Sequence, residues 1–215
     1  MEYPKFTLEK KLFQEGYQNI VSIDEAGRGA LAGPLVAAAV ILNQKQTSII
    51  KSINNLKIRE SKLLTENLRE KLFDQLSGKL NWSLGIVSHK EIDRIGITRA
   101  NILVFKRALK NFKNEVDYLL LDYVYGFKHS KPYDLIKKGD REILSVAIAS
   151  ILAKVSRDRI MRQYHQKFPQ YFFNNHKGYG TKLHHSCLKK HGVCKIHRLS
   201  YGQVNISYQD EESTN

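Results

Sequence analysis

Residues 19–42, NIVSIDEAGRGALAGPLVAAAVIL, constrain this chain more than any other stretch. An apolar run through Ile20, Val21 and Ile23 ends on two adjacent carboxylates, Asp24 and Glu25. A turn of small residues follows (Ala26, Gly27, Arg28, Gly29), and after Pro34 a second apolar run covers Leu35–Leu42. Both runs read as buried strands. Buried carboxylates are unfavourable unless paired or bound to a metal. Two of them at the end of a hydrophobic strand, beside backbone that glycine leaves accessible, point to a divalent-cation site with a substrate backbone pressed against it. The glycines do not fit a dinucleotide-binding loop. Their spacing is G-x-G-x-x-x-G, and a strand rather than a helix follows Pro34.

Around this stretch the spacing of apolar residues predicts an α/β domain with a mixed β-sheet flanked by helices and a helical C-terminal region. Strands are expected over Ile20–Glu25, Leu35–Leu42, Leu80–Ser88, Val116–Val124 and Tyr133–Lys138. In the third, Trp82, Leu84 and Ile86 form the expected inward face. Helices are expected over residues 6–18, Ser61–Gly78, Ile97–Phe112, Arg141–Phe168 and Lys182–His191. Ala147, Ala149, Ser150 and Ala153 suit the long helix to close packing on the sheet. Residues 43–58 read as a polar loop with a short helical piece. The expectation is one domain over 1–215, with its core over 19–205 and a disordered polar tail over 206–215.

Composition narrows the partner. The chain has 35 Lys and Arg against 21 Asp and Glu, a formal charge of +14, which favours a polyanion. Two cysteines, Cys187 and Cys194, make no disulfide framework. The N-terminus is unlike a secretory signal and no apolar run is long enough to span a membrane, so cytoplasmic residence is expected. His185, Cys187, His191, Cys194 and His197 match no common zinc-finger spacing and lie among Lys189, Lys190 and Lys195. A basic helix at a nucleic-acid surface is the better account.

Two more acids stand where a charge is unwelcome. Asp122 interrupts the apolar LLLDYVY, and Asp140 precedes the long helix, where helix capping is its competing role. Asp24 and Glu25 point to opposite faces of a regular strand, so their convergence calls for a bend at the AGRG turn. Phosphodiester hydrolysis uses such a cluster, with two Mg²⁺ or Mn²⁺ ions about 4 Å apart. Asp158, flanked by Arg157, Arg159 and Arg162, reads as a surface ion pair.

The segments IDEAGRGALAGPLVAAAVIL, ESKLLT, LLLDYV, KKGDREILSVAIASILAKVSRDR and HKGYGTKLHHSCLKKHGVCKIHRLSY resemble bacterial ribonuclease HII, the type 2 ribonuclease H family. They cover most of the chain from residue 20 to 202. The resemblance implies an RNase H-like fold and a Mn²⁺- or Mg²⁺-dependent endonuclease. Its substrates would be RNA–DNA hybrids and ribonucleotide-containing DNA, cut 5′ to the ribonucleotide to leave a 3′-hydroxyl and a 5′-phosphate. It implies metal binding by Asp24, Glu25 and Asp122, with Asp140 completing the catalytic set. Gly27, Arg28 and Gly29 would recognise the 2′-hydroxyl, Tyr179 would stack on the next sugar, and Lys62 would approach the phosphate. His176, Lys177 and Lys182 would hold further phosphates. A monomer is expected, and a sliding clamp is a candidate partner.

Three positions depart from the family pattern: Glu60 stands before Ser-Lys in place of Asp, Tyr123 follows Asp122, and Arg141-Glu142 follow Asp140. The DEAGRG turn separates the chain from ribonuclease HIII, whose turn resembles DESGKG. Two rival functions remain at this point. One is a nuclease of similar fold acting on plain or branched DNA, which would cut all-DNA duplexes equally well. The other is a non-catalytic nucleic-acid binder, which would bind without metal and cut nothing.

Overall fold

The two apolar runs form neighbouring antiparallel strands, β1 (Asn19–Ala26) and β2 (Leu35–Asn43), in a computed structural model of the chain. It describes residues 3–44, 49, 52–53, 56, 58, 60–112 and 116–204. Most of the loop expected over 43–58, and all of the tail expected over 206–215, lie outside the described residues. The sheet is completed by β3 (Asn81–Val87), antiparallel to β2, and by β4 (Tyr118–Asp122) and β5 (Tyr133–Ile136), which run parallel on the other side of β1. The strand order is β3-β2-β1-β4-β5.

Helices cover both faces. They are α1 (Thr7–Gln14), α2 (Glu66–Ser77), α3 (His89–Leu109, broken at Gly96), α4 (Gly139–Glu142) and α5 (Leu144–Lys167). Two more, α6 (Phe173–His176) and α7 (Lys182–His191), belong to the C-terminal region. Strand β2 is apolar along its length because both faces are buried. Ala38, Val40 and Leu42 join the core under α5, whereas Leu35, Ala37, Ala39 and Ile41 join the core under α3. Full burial of each large aliphatic side chain contributes about 1.5–3 kcal/mol. A third cluster, including Leu31, Met161, Tyr171, Phe173 and Leu188, ties the C-terminal region to the segment that joins β1 to β2.

Strand β3 is covered on both faces: Trp82 and Leu84 pack on the core under α5 as expected, and the opposite face is buried as well. Ser83, Gly85 and Val87 are buried, Trp82 and Leu84 are half-buried on the other side, and Ile86 is exposed. The reason is the closeness of α3: a Cβ on Gly85 would stand 2.1 Å from the Val104 carbonyl oxygen. Only small residues fit that face, so the large ones turn away.

The long helix begins later than expected, at Leu144. Its N-cap residue, Ile143, offers no capping side chain. Glu9 of α1 supplies the cap instead, accepting from Ser145 N at 2.8 Å, although Glu9 is fully buried. Charged pairs link α5 to α2, with Arg159 Nη2 2.6 Å from Glu70 Oε2 and Arg162 Nη1 2.6 Å from Glu66 Oε1. Asp158 does not join them. It is buried and pairs with Lys154 at 2.8 Å, so the expected surface ion pair is corrected to a half-hidden one within α5. No helix among the described residues is long and apolar enough to cross a membrane.

Candidate active site

Strand β1 stays paired with β2 as far as Ala26 opposite Val36, but its parallel pairing with β4 ends at Ile23 opposite Leu121. Asp24, Glu25 and Asp122 lie just past that last pair. Each offers one carboxylate oxygen, and the three oxygens lie within 4.8 Å of one another. The convergence is reached with the β1–β2 ladder intact through Ala26.

The three acids are held from several sides. Glu25 N donates to Asp24 Oδ1 at 2.7 Å, Gly139 N donates to Asp122 Oδ1 at 3.0 Å, and Ser150 of α5 hydrogen-bonds Asp24. Burial, then the neighbouring Glu25 and Asp122 charges, push Asp24 well above the usual carboxylate range. Burial and Asp122 likewise raise Glu25 to about 7, against the opposing effects of Arg28 and Asn101. Glu25 Oε2 is buried with no hydrogen-bond partner. This donor set fits a divalent cation. It consists of hard oxygen ligands, has a lone pair to spare, and carries crowded negative charge that a dication would neutralise.

A cavity of about 580 Å³ opens over these acids, and Asp140, Lys62 and Tyr179 line it together with Gly27, Arg28 and Gly29. These nine residues singled out from the sequence therefore line one space, whereas His176, Lys177 and Lys182 do not. Asp140 does not cap a helix: it lies within α4, whose N-cap is Lys138, and it stands outside the three-oxygen group. Burial, Glu60 and Asp122 raise its pKa, whereas Lys62 and Arg141 oppose the rise. Glu60 is buried and paired with Arg141, at 2.8 Å to Nε and 3.2 Å to Nη2.

Sequence reasoning missed Lys138, Ser61, Ser150 and Lys154 as lining residues. Ser150 had passed as a small packing residue, yet its hydroxyl also lies 2.9 Å from that of Ser61. A signal was available. Ser150 and Lys154 are polar and four apart within the largely apolar stretch Val146–Val155, a spacing that puts both on one face.

The Gly27–Gly29 turn is built against two buried arginines. Arg157 of α5 donates to the carbonyls of Pro34 (3.0 Å), Lys177 (2.9 Å) and Ala32 (3.1 Å). Arg198 donates to the carbonyls of Gly33 (3.0 Å) and Arg28 (3.0 Å), and Tyr201 Oη donates to the same Arg28 carbonyl at 2.7 Å. The Tyr179 ring lies against two cations, with Lys154 Nζ 5.2 Å and the Arg157 guanidinium 5.0 Å from its centre. Leu31 N donates to Gly178 O at 2.8 Å, which joins the Tyr179 loop to the turn.

Two of the expected phosphate-binding residues are buried for structural reasons. Lys177 reaches Glu66 at 3.3 Å. His176 accepts from Gly178 N at 3.2 Å through Nδ1, and its Nε2 donates to Tyr171 O at 2.8 Å. Lys182, by contrast, is exposed at the start of α7. His184 Nδ1 donates to Tyr179 O at 3.0 Å, and its Nε2 lies 3.0 Å from His197 Nε2, while His197 Nδ1 accepts from Cys194 N at 2.8 Å. These partners fit neutral rings in complementary tautomers. Burial lowers the pKa of His184 to about 3 and that of His197 to about 4. The His and Cys residues near the C-terminus form no metal-binding group among the described residues.

Comparison with known proteins identifies the family. The family model for Ribonuclease HII matches residues 21–204. The Ribonuclease HII of Acetivibrio thermocellus is 47% identical over 194 residues, covering 90% of this chain and 73% of that protein. The crystal structure of ribonuclease H2 from Pyrococcus horikoshii OT3 superposes with a TM-score of 0.75 at 25% identity, covering 92% of this chain and all of that one. Bst-RNase HIII in complex with Mn²⁺ shares the fold, with a TM-score of 0.72 at 16% identity over 94% of this chain and 72% of that one. By its matched length and its identity to curated relatives, this chain belongs to the ribonuclease HII family and is a ribonuclease H enzyme.

Proposed function

We propose that this chain hydrolyses the RNA strand of RNA–DNA hybrids and also cuts 5′ to ribonucleotides embedded in duplex DNA, leaving a 3′-hydroxyl and a 5′-phosphate. One observation carries the reading: three carboxylates meet within 4.8 Å in the cavity that also holds the Gly27–Gly29 turn and Tyr179. In this reading Asp24, Glu25 and Asp122 hold the divalent cations, Mn²⁺ or Mg²⁺, and Asp140 completes the site. Two such cations would supply charge neutralisation at the scissile phosphate and a more acidic attacking water.

The chain's own groups do the rest. Ser150 and the Gly139 amide fix the carboxylate orientations of Asp24 and Asp122. The exposed backbone of Arg28 and Gly29 offers groups to the 2′-hydroxyl, the feature that separates RNA from DNA. Tyr179, held against Lys154 and Arg157, stacks on the sugar of the following deoxynucleotide. Lys62, exposed at the cavity rim, meets a phosphate. The chain works as one catalytic domain and as a monomer.

The test compares matched all-DNA, single-ribonucleotide and RNA–DNA duplexes, with wild-type protein and with Asp24→Asn, in Mg²⁺ and in Mn²⁺. Wild-type protein should cut only the two ribose-containing duplexes, and Asp24→Asn should cut neither while melting as a folded protein. Near-normal cleavage by Asp24→Asn in Mg²⁺, or equal cleavage of all-DNA duplex, would overturn the assignment.

A further inference from the structure

Next to the cavity, the chain between Asp122 and Asp140 carries a basic, aromatic surface that the catalytic reading leaves unused. Val124 is buried in the core, and the tyrosines on either side, Tyr123 and Tyr125, are 40% and 71% exposed. Phe127 is buried again. Its ring packs edge-on against Phe105 at 6.3 Å and Tyr133 at 5.5 Å, and Tyr133 Oη donates to Phe127 O at 3.2 Å. Anchored at Val124 and Phe127, the segment holds its two tyrosine rings out into solvent.

The same segment is rich in positive charge. Lys128, Lys131, Lys137 and Lys138 are all exposed, and residues 123–138 contain a single acid, Asp134, which is hydrogen-bonded to Tyr118. Lys137 Nζ stands 5.7 Å from the centre of the Tyr123 ring. Lys138 lines the cavity, and the amide of the next residue, Gly139, is bonded to Asp122. The surface is thus continuous with the acid cluster and opposite to it in sign.

We infer that this surface grips the sugar–phosphate backbone of the substrate duplex beyond the cut position, with Tyr123 and Tyr125 packing on sugars and Lys128, Lys131 and Lys137 meeting phosphates. The inference rests on the nucleic-acid reading of the cavity and adds a contact to it. Aromatic rings interleaved with cations are how protein surfaces follow a nucleic-acid strand without reading its sequence. Rings presented by an anchored segment have little rotamer freedom to lose on contact.

The experiment measures duplex binding by metal-free protein, using a labelled RNA–DNA hybrid long enough to pass the cavity on both sides. Tyr123→Ala combined with Tyr125→Ala should weaken binding about tenfold and leave the dependence on salt unchanged. Lys131→Ala combined with Lys137→Ala should lower the slope of log Kd against log salt by about two. Tyr123→Phe with Tyr125→Phe should bind like wild type, because the rings remain. A hybrid trimmed to end at the cavity should bind wild type and the alanine pair alike. Binding of the long hybrid within twofold of wild type by a folded alanine pair overturns the inference, as does an unchanged salt slope for the lysine pair. Weak binding by the phenylalanine pair overturns the packing role, and points to the tyrosine hydroxyls hydrogen-bonding the duplex instead. Because no cleavage is measured, failure of the catalytic reading would show separately, as wild-type protein that binds hybrids and does not cut them.

Discussion

The Arg157 guanidinium occupies the space that a side chain on Gly27 would need: a Cβ there would fall 2.0 Å from Arg157 Nε. Gly27 also sits at φ +97°, which other residues adopt only with strain. Gly27→Ala must therefore displace a guanidinium that holds three backbone carbonyls. We expect hybrid cleavage to fall about a hundredfold, the scale of a 1 Å misplacement near reacting groups. The stability loss should be about 1–3 kcal/mol. Steady-state kinetics and urea unfolding of the same preparation check both.

Tyr201→Phe removes one of the two donors that hold the Arg28 carbonyl. A single hydrogen bond contributes about 0.5–1.5 kcal/mol, so kcat/KM on a single-ribonucleotide duplex should drop two- to tenfold, by about that energy. The drop should be larger for the ribonucleotide duplex than the change in overall melting temperature would suggest. An equal loss of stability and activity would show that the hydroxyl only supports the fold.

The acid cluster predicts a pH effect of definite sign. Glu25 ionises at about 7 in the folded protein against an ordinary 4.5, and Asp24 is raised too. Between those pH values the metal-free folded state holds protons that the unfolded chain has released. Their contribution to stability is full below the unfolded value and is lost as pH rises through about 7. Glu25→Gln should thus stabilise metal-free protein more at pH 8 than at pH 5, by on the order of 2–3 kcal/mol. Mn²⁺ should raise the melting temperature of wild type more at pH 8 than at pH 6, because it competes with those protons. Calorimetric melts across that range decide the matter.

The buried histidines pull the other way. His184 and His197 titrate at about 3 and about 4 when folded, against 6.5 ordinarily. Below about 6.5 the unfolded chain takes up protons that the folded rings refuse, so this stabilisation is complete above that pH and is lost as pH falls. The eventual loss from His184 alone is on the order of 3–5 kcal/mol. At pH 5.5 ring NMR should find both imidazoles neutral in folded protein. Protonated rings at that pH would refute the tautomer chain that holds Tyr179 O.

Much of this architecture was readable from local chemistry. The unbroken apolar run of β2 signals burial on both faces, and acids in apolar strands signal a site. The burial of the second face of β3 was not legible, because Gly85 lies against a helix distant in sequence, which no period within the strand reveals. Asp158 and His176 were misplaced because the tertiary fold buries them, although their partners, Lys154 and the Tyr171 carbonyl, are close in sequence. The pairs of Arg159 and Arg162 with α2 also depend on tertiary contact. Ser150 hid as a helix-packing residue until its hydroxyl was seen beside Asp24.

The Arg28 carbonyl is held from residues 198 and 201, close to the end of the described chain. A ribosome-bound chain therefore exposes all its acids well before it can brace the turn beside them. During synthesis the turn stays unbraced until residues 198–201 have emerged.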